Sequence, residues 1–189
     1  LVERADVCVV GPGLGQGAWS RSLLSGVAGS DQLQVWDADA LNLLAAGQVS
    51  APRHGVLTPH PGEAARLLGI ETAVLQADRP AAARALAQRF GLVVVLKGAG
   101  SLVAAPDGRL ALCDRGHPAM AGAGLGDVLA GLIGALLAQG MAAYDAACLA
   151  VWLHARAGEV LAVQGRGLAA GDLPGTIRQL LEELCPCVK

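Results

Sequence analysis

The chain has 189 residues, 53% of them apolar but only 3% aromatic, with a formal net charge of −2. That length suits one domain with a sizeable core, and the near-neutral charge, with no Lys/Arg cluster and few rings to stack on bases, argues against a nucleic-acid partner. No run approaches the ~18 uninterrupted apolar residues that span a bilayer, and no basic region followed by an apolar core opens the chain, so a cytoplasmic protein acting on small molecules is expected.

Ala5 to Val10 is β-rich and runs into the glycine turn Gly11-Pro12-Gly13-Leu14-Gly15, after which Ala18 to Val27 has helical spacing. Gln32 to Trp36 reads as a second strand closing on Asp37-Ala38-Asp39, with helical Ala40 to Ala46 behind it. A third strand, Gly55 to Thr58, meets Pro59-His60-Pro61-Gly62-Glu63, where Pro61 suits the first turn of a helix ending at Leu68. Pro80 to Phe90 is Ala-rich, with Arg84 and Arg89 placed toward solvent, and leads into the buried-strand run Leu92 to Leu96. Lys97-Gly98-Ala99-Gly100-Ser101 follows. Ser101 to Ala105 and Arg109 to Cys113 flank the turn Pro106-Asp107-Gly108, a hairpin signal. Helices are expected over Asp127 to Gln139, Ala142 to Val163 and Asp172 to Leu184. Strand-helix alternation, then a hairpin, then a helical third imply an α/β fold: a mostly parallel sheet covered on both faces.

The five cysteines, Cys8, Cys113, Cys148, Cys185 and Cys187, form no C-x-x-C pair, and neither a disulfide framework nor a zinc site is expected. Cys8, Cys113 and Cys148 read as core residues, Cys185 and Cys187 as exposed tail thiols. The opening Leu1-Val2-Glu3-Arg4 lacks an initiator Met and reads as a fragment or a processed chain.

Four polar or glycine clusters follow predicted strands, which in an open parallel sheet gathers them along the carboxyl edge where ligands bind. They are Gly11 to Gly15, Asp37 to Asn42, Thr58 to Glu63 and Lys97 to Ser101. The first is not a dinucleotide fingerprint, because Gln16 occupies the place of its last glycine, and no G-x-x-x-x-G-K-[ST] run exists. Met120 to Gly131 is a glycine-rich turn opening into an apolar helix, and free N–H groups at such a terminus favour a phosphate. Within that turn Asp127 reads either as a helix cap or as a base that takes a proton from a substrate hydroxyl. Asp37 and Asp39 read as magnesium contacts through water, with Asp39 equally explained as an N-cap. Lys97 suits either a phosphate contact or a snorkelling lysine. His60 is held between two prolines in a position suited to a ligand, whereas Glu63 is given no catalytic role.

The Gly124-Leu125-Gly126-Asp127 turn resembles the anion hole and catalytic Asp of the ribokinase-like superfamily. With Gly11 to Gly15, Asp37 to Asn42, Thr58 to Glu63, Lys97 to Ser101 and the late Gly167 to Leu173, the order resembles the ADP/ATP-dependent NAD(P)H-hydrate dehydratases over essentially the whole chain. The resemblance implies a ribokinase-like three-layer α/β/α domain over 1–189. It also implies repair of hydrated NADH or NADPH with ADP or ATP and Mg2+: the ring hydroxyl is phosphorylated and phosphate is then expelled. It makes Asp127 the base, assigns nucleotide and phosphate binding to Lys97, Gly98, Ala99, Gly100, Ser101, Gly124, Leu125 and Gly126, and gives substrate contacts to Gly13, His60, Asn42 and Asp127. Metal ligands remain unassigned. The family forms homo-oligomers, and the small-residue stretch Ala142 to Val163 is a candidate for packing between subunits.

Two departures stand out. The N-terminal segment of family members is expected to be missing here, and His117-Pro118-Ala119-Met120 replaces the commoner Asn-Pro-Gly-Met. A kinase of a small hydroxymethyl vitamin precursor and a non-catalytic nucleotide-binding module are the competing readings.

Overall fold

The computed structural model describes residues 2–163, 165 and 167–186. Six strands, β1 (Val7–Val10), β2 (Leu33–Trp36), β3 (Gly55–Leu57), β4 (Val93–Leu96), β5 (Ser101–Ala104) and β6 (Leu110–Cys113), form one sheet in sequence order. β1 to β4 are parallel, whereas β5 and β6 add antiparallel to β4 as the expected hairpin. The helices are α1 (Ala18–Ala28), α2 (Ala38–Ala45), α3 (Pro61–Leu68), α4 (Thr72–Ala77), α5 (Arg79–Phe90), α6 (Leu125–Ala138), α7 (Ala143–Ala162) and α8 (Leu173–Leu184).

The strand period of two decides which helices cover which face. Trp36, Leu57, Val94, Leu96 and Leu102 point to one side and pack with Leu24 of α1, Leu41 of α2, Ala64 of α3, Leu75 of α4 and Leu86 of α5. Val35, Val56, Val93, Val95 and Val103 point to the other, against Leu129 and Ile133 of α6 and Ala146 and Ala150 of α7. All helices of the parallel crossovers therefore lie on one face, and the C-terminal helices close the other. The result is the expected α/β/α layering. β4 is buried along its whole length because it lies inside the sheet, with both faces covered.

Local chemistry sets the helix ends. His60 caps α3, Pro61 fills its first turn, Glu63 completes a capping box, and Gly69 closes the helix in the left-handed region. Asp78 caps α5 by accepting from the Ala81 N–H at 2.9 Å. α4 is an element that the sequence pattern does not announce, since its single turn and a half gives too little periodicity to register.

Two further expectations change. The face of α7 offered for subunit packing is already used: Ala146, Ala147, Ala150, Val151, Leu153, Ala155, Ala157 and Gly158 are buried within the chain. Cys8, Cys113 and Cys148 are half-buried rather than core, although burial pushes each thiol pKa up. Cys185 is exposed as expected, and Cys187 lies outside the described residues.

Candidate active site

The parallel strands deliver their following residues to one edge, and the first of these contacts requires glycine. Gly11 has φ 122°, and a Cβ there would stand 1.7 Å from the Asp37 carbonyl oxygen, so only glycine lets the end of β1 approach the end of β2 this closely. Beyond it the loop turns back on itself, with the Leu14 N–H donating to the Gly11 carbonyl at 3.1 Å. Asp39 anchors the loop, accepting from the Gly15 N–H at 2.8 Å and from Gln16 Nε2 at 3.1 Å. Gly13, with φ 65°, stands at the tip with nothing within 4 Å of where its Cβ would be.

Asp37, not Asp39, occupies the N-cap position of α2, and its side chain makes no capping bond. It takes the Lys97 ammonium instead, Nζ to Oδ1 at 2.6 Å, with the two side chains only 2% and 19% exposed. Next to it Ala38 has φ 48°, the one non-glycine with positive φ among the described residues, which places a strained backbone residue at the site. The two carboxylates of the Asp37-Ala38-Asp39 run thus serve different partners, one an ammonium and the other a loop. Among the described residues no group of three or more His, Cys, Asp or Glu side chains is placed to hold a metal ion.

The first turn of α6 closes over this pair. A Cβ on Gly126 would lie 3.2 Å from Lys97 Nζ and 3.5 Å from Asp37 Oδ2, so the missing side chain lets helix backbone sit beside the ion pair. Gly124 is the N-cap, in the left-handed region at φ 78°, and offers no side chain to the N–H groups behind it. Asp127 is therefore not the cap. It is the third residue of the helix, exposed, and takes no hydrogen bond or ion pair among the described residues. An uncapped terminus of this kind leaves N–H donors and the positive end of the dipole available to an anion.

Three contacts hold the turn from behind. His154 on α7 donates from Nε2 to the Leu125 carbonyl at 2.8 Å, and since a carbonyl only accepts, Nε2 carries the proton. Burial, and secondarily the Lys97 charge, depress the His154 pKa against that bond. The 167–173 segment packs against the loop, with Ala170 Cβ 3.2 Å from where a Gly124 Cβ would stand, and is itself pinned by Asp172 Oδ2 accepting from the Ala169 N–H at 2.8 Å. Met120 fills the notch left by the bare Gly158 backbone. His117 accepts the Ala119 N–H on Nδ1 at 3.1 Å, the kind of cap an asparagine also supplies.

His60 accepts from the Gly62 and Glu63 N–H groups on Nδ1, at 3.0 and 3.3 Å, and Glu63 Oε2 accepts from the His60 N–H at 2.8 Å. With Nδ1 accepting, a neutral His60 carries its proton on Nε2, which lies 3.4 Å from Glu63 Oε1. Glu63 is buried. Desolvation raises its pKa, opposed by the His60 N–H, by Lys97 and by His60.

The expected nucleotide loop, Lys97 to Ser101, is shaped by a residue that the sequence reading missed. Arg79 donates to the carbonyl oxygens of Ala99, Leu96 and Lys97, and a Cβ on Gly98 would stand 2.9 Å from its Nη2. Ser101 Oγ closes the turn on the Gly98 carbonyl at 3.1 Å. Nothing in the spacing marks Arg79, which opens an otherwise ordinary Ala-rich helix. Lys97 itself sends its ammonium to Asp37 and the α6 turn. Asn42 stands apart from that ion pair, its Oδ1 accepting from Arg66 Nη2 at 2.9 Å.

A family profile described as NAD(P)H-hydrate dehydratase matches residues 1–179. The bifunctional NAD(P)H-hydrate repair enzyme of Escherichia coli is 49% identical over 183 residues, which are 95% of this chain and 35% of that protein. Among solved structures, the ADP/ATP-dependent NAD(P)H-hydrate dehydratase of Bacillus subtilis, co-crystallised with ATP and Mg2+, superposes with a TM-score of 0.83 at 30% identity, covering 94% of this chain and 64% of that one. A ribokinase-like superfamily protein of Enterococcus faecalis superposes with a TM-score of 0.87 at 28% identity over 98% of this chain and 66% of that one. The chain thus spans about a third of the length of the E. coli relative and just under two thirds of the B. subtilis protein. By the profile match over residues 1–179 and the likeness in fold, this chain belongs to the NAD(P)H-hydrate dehydratase family.

Proposed function

We propose that this chain dehydrates hydrated NADH or NADPH at the expense of ADP or ATP, with Asp127 as the catalytic base. The observation that carries the reading is the exposed, unpartnered Asp127 carboxylate directly behind the uncapped Gly124-Leu125-Gly126 turn. A base must reach a ligand, and an anion hole must have free donors; this turn supplies both within four residues.

In the proposed reaction the hydroxyl of the hydrated ring gives its proton to Asp127 as its oxygen attacks the terminal phosphorus of the nucleotide. The bond to the leaving nucleotide oxygen breaks, giving AMP when ADP is used. The ring nitrogen then pushes its lone pair in, phosphate departs from the ring carbon, and loss of a proton from the neighbouring carbon restores the dihydronicotinamide. Phosphoryl transfer of this kind depends on positioning and charge stabilisation. The N–H groups of Gly124, Leu125 and Gly126 face the transferred phosphoryl, with the Asp37–Lys97 pair fixing the backbone beside them. Gly98, Ala99, Gly100 and Ser101 line the nucleotide. Gly13 and the Nε2–H of His60 contact the hydrate.

Magnesium fits this site as part of the nucleotide rather than as a resident ion. The described residues form no cage for it, and Mg2+ commonly keeps waters and binds through substrate phosphates. It would neutralise phosphate charge there.

The test is incubation of the chain with hydrated NADH, ADP and Mg2+, following both reduced-nicotinamide absorbance and free phosphate. Both should appear in equal amounts with the native chain and be lost in Asp127→Asn. Phosphate retained on the product would instead identify a kinase, and nucleotide binding without turnover a non-catalytic module.

A further inference from the structure

One open depression, of about 570 Å3, lies outside the α6 turn and is lined by Gln16, Asn42, Ala45, Ala46 and Arg66. Its size falls in the range of small-molecule sites. Arg66 is an exposed residue of α3 with one contact to another side chain, Nη2 to Asn42 Oδ1. A guanidinium has five N–H donors, so most of its capacity remains for a ligand. Gly62 stands one turn before Arg66 and has no side chain. A Cβ there would lie 3.0 Å from His60 Cε1 and 3.7 Å from Arg66 Nη1, so the guanidinium and the His60 ring border the same gap.

The charge around the depression favours an anion. Arg21 donates to the backbone carbonyl of the lining residue Gln16 at 3.0 Å, which brings a second cation near the depression. The nearby carboxylate of Asp39 is already engaged by the Gly15 N–H and by Gln16 Nε2. The other basic groups of this edge are committed elsewhere, Lys97 to Asp37 and Arg79 to the 96–99 carbonyls.

We propose that this depression binds a phosphate of the dinucleotide substrate, with Arg66 as the contact and Asn42 as the positioning residue that aims its guanidinium. The inference rests on reading the substrate as a hydrated dinucleotide. In such a molecule one ribose separates the nicotinamide ring from the pyrophosphate, so a cation bordering the ring-contacting His60 is placed for the next group along. Asn42, expected as a substrate contact, thus acts through Arg66 instead. A 2′-phosphate on the adenosine offers the same chemistry as the pyrophosphate, and only substrates that differ in it tell the two apart.

The experiment is steady-state kinetics of the chain and its Arg66→Ala, Arg66→Lys and Asn42→Ala variants on hydrated NADH and on hydrated NADPH. For Arg66→Ala the hydrate KM should rise about 10- to 100-fold, as for a lost charge-assisted hydrogen bond, while kcat and the KM for ADP stay within about two-fold. Arg66→Lys should recover part of that, since lysine keeps the charge without the fork, and Asn42→Ala should raise KM by less than Arg66→Ala. An equal rise for both hydrates places the pyrophosphate in the depression; a rise confined to hydrated NADPH places the 2′-phosphate there. Unchanged KM for both hydrates, or a rise in the KM for ADP alone, overturns the proposal while leaving the dehydratase reading intact. No turnover by the unaltered chain overturns that reading and this proposal with it. Equal denaturant midpoints for Arg66→Ala and the parent would show that a kinetic change is not a folding defect, as expected for an exposed pair.

Discussion

The carboxyl edge of the sheet is built in two different ways. At the ends of β2, β3 and β4 each of these carboxylates is engaged: Asp37 with Lys97, Asp39 with the glycine loop, and Glu63 with the His60 N–H. At the first turn of α6 the carboxylate has no such partner. Gly124 offers no cap, and Asp127 stands exposed without a partner. Matched buried charges hold geometry, because moving either member strands the other in low dielectric. An unmatched exposed carboxylate contributes little to the fold and is free to react. In the proposed reaction the first region is the frame and the second supplies the reacting group.

The comparison predicts opposite signatures for the two regions. Asp127→Asn should lower turnover by about 10²- to 10⁴-fold, the usual contribution of a positioned base, and leave unfolding free energy within about 0.5 kcal/mol. A large loss of stability would make Asp127 a structural residue and erase the distinction. Lys97→Met should do the reverse first, since it leaves Asp37 charged at 2% exposure; the expected loss is about 3–5 kcal/mol by denaturant unfolding. Asp37→Asn combined with Lys97→Met should recover much of that loss. If the double variant is no more stable than the single one, the pair is not a coupled unit.

How far this division was legible in the sequence depends on whether the relevant contact is local. The capping box of His60 and Glu63, the hairpin around Pro106-Asp107-Gly108 and the all-buried β4 follow from residues close in sequence. The strand-end clusters were also readable, because parallel order sends them to one edge. Their internal wiring was not. Asp37 and Lys97 are 60 residues apart, and the cap expected at Asp39 falls at Asp37 because a D-x-D run preceding a helix offers two equally good caps. Arg79 acts on carbonyls about 20 residues away, and His154 reaches Leu125 across 29. Neither partner is a side chain, so no complementary residue type marks the pairing.

His154 tests the seam between the two regions, since it belongs to the buried frame yet holds the first residue of α6. Its pKa lies below the ordinary 6.5, chiefly because burial disfavours the imidazolium, with the Lys97 charge adding to the effect. A group whose folded pKa is depressed contributes stability that is complete above its unfolded pKa and is lost as pH falls through the folded value. The chain should therefore lose stability on going from pH 7 toward pH 5, at up to about 1.4 kcal/mol per pH unit from this one proton. Glu63 works in the other sense: its carboxyl is raised above the ordinary 4.5, so its contribution is complete below that value and fades as pH rises through the folded pKa. The two oppose each other in the parent profile, which makes the difference between variants the informative measurement. His154→Gln keeps an N–H for the Leu125 carbonyl and removes the titration, so its stability should fall less between pH 7 and pH 5 while Glu63 acts equally in both proteins. Parallel profiles would mean that the imidazole accepts its proton without disturbing the α6 turn, and that the seam is looser than the 2.8 Å bond implies.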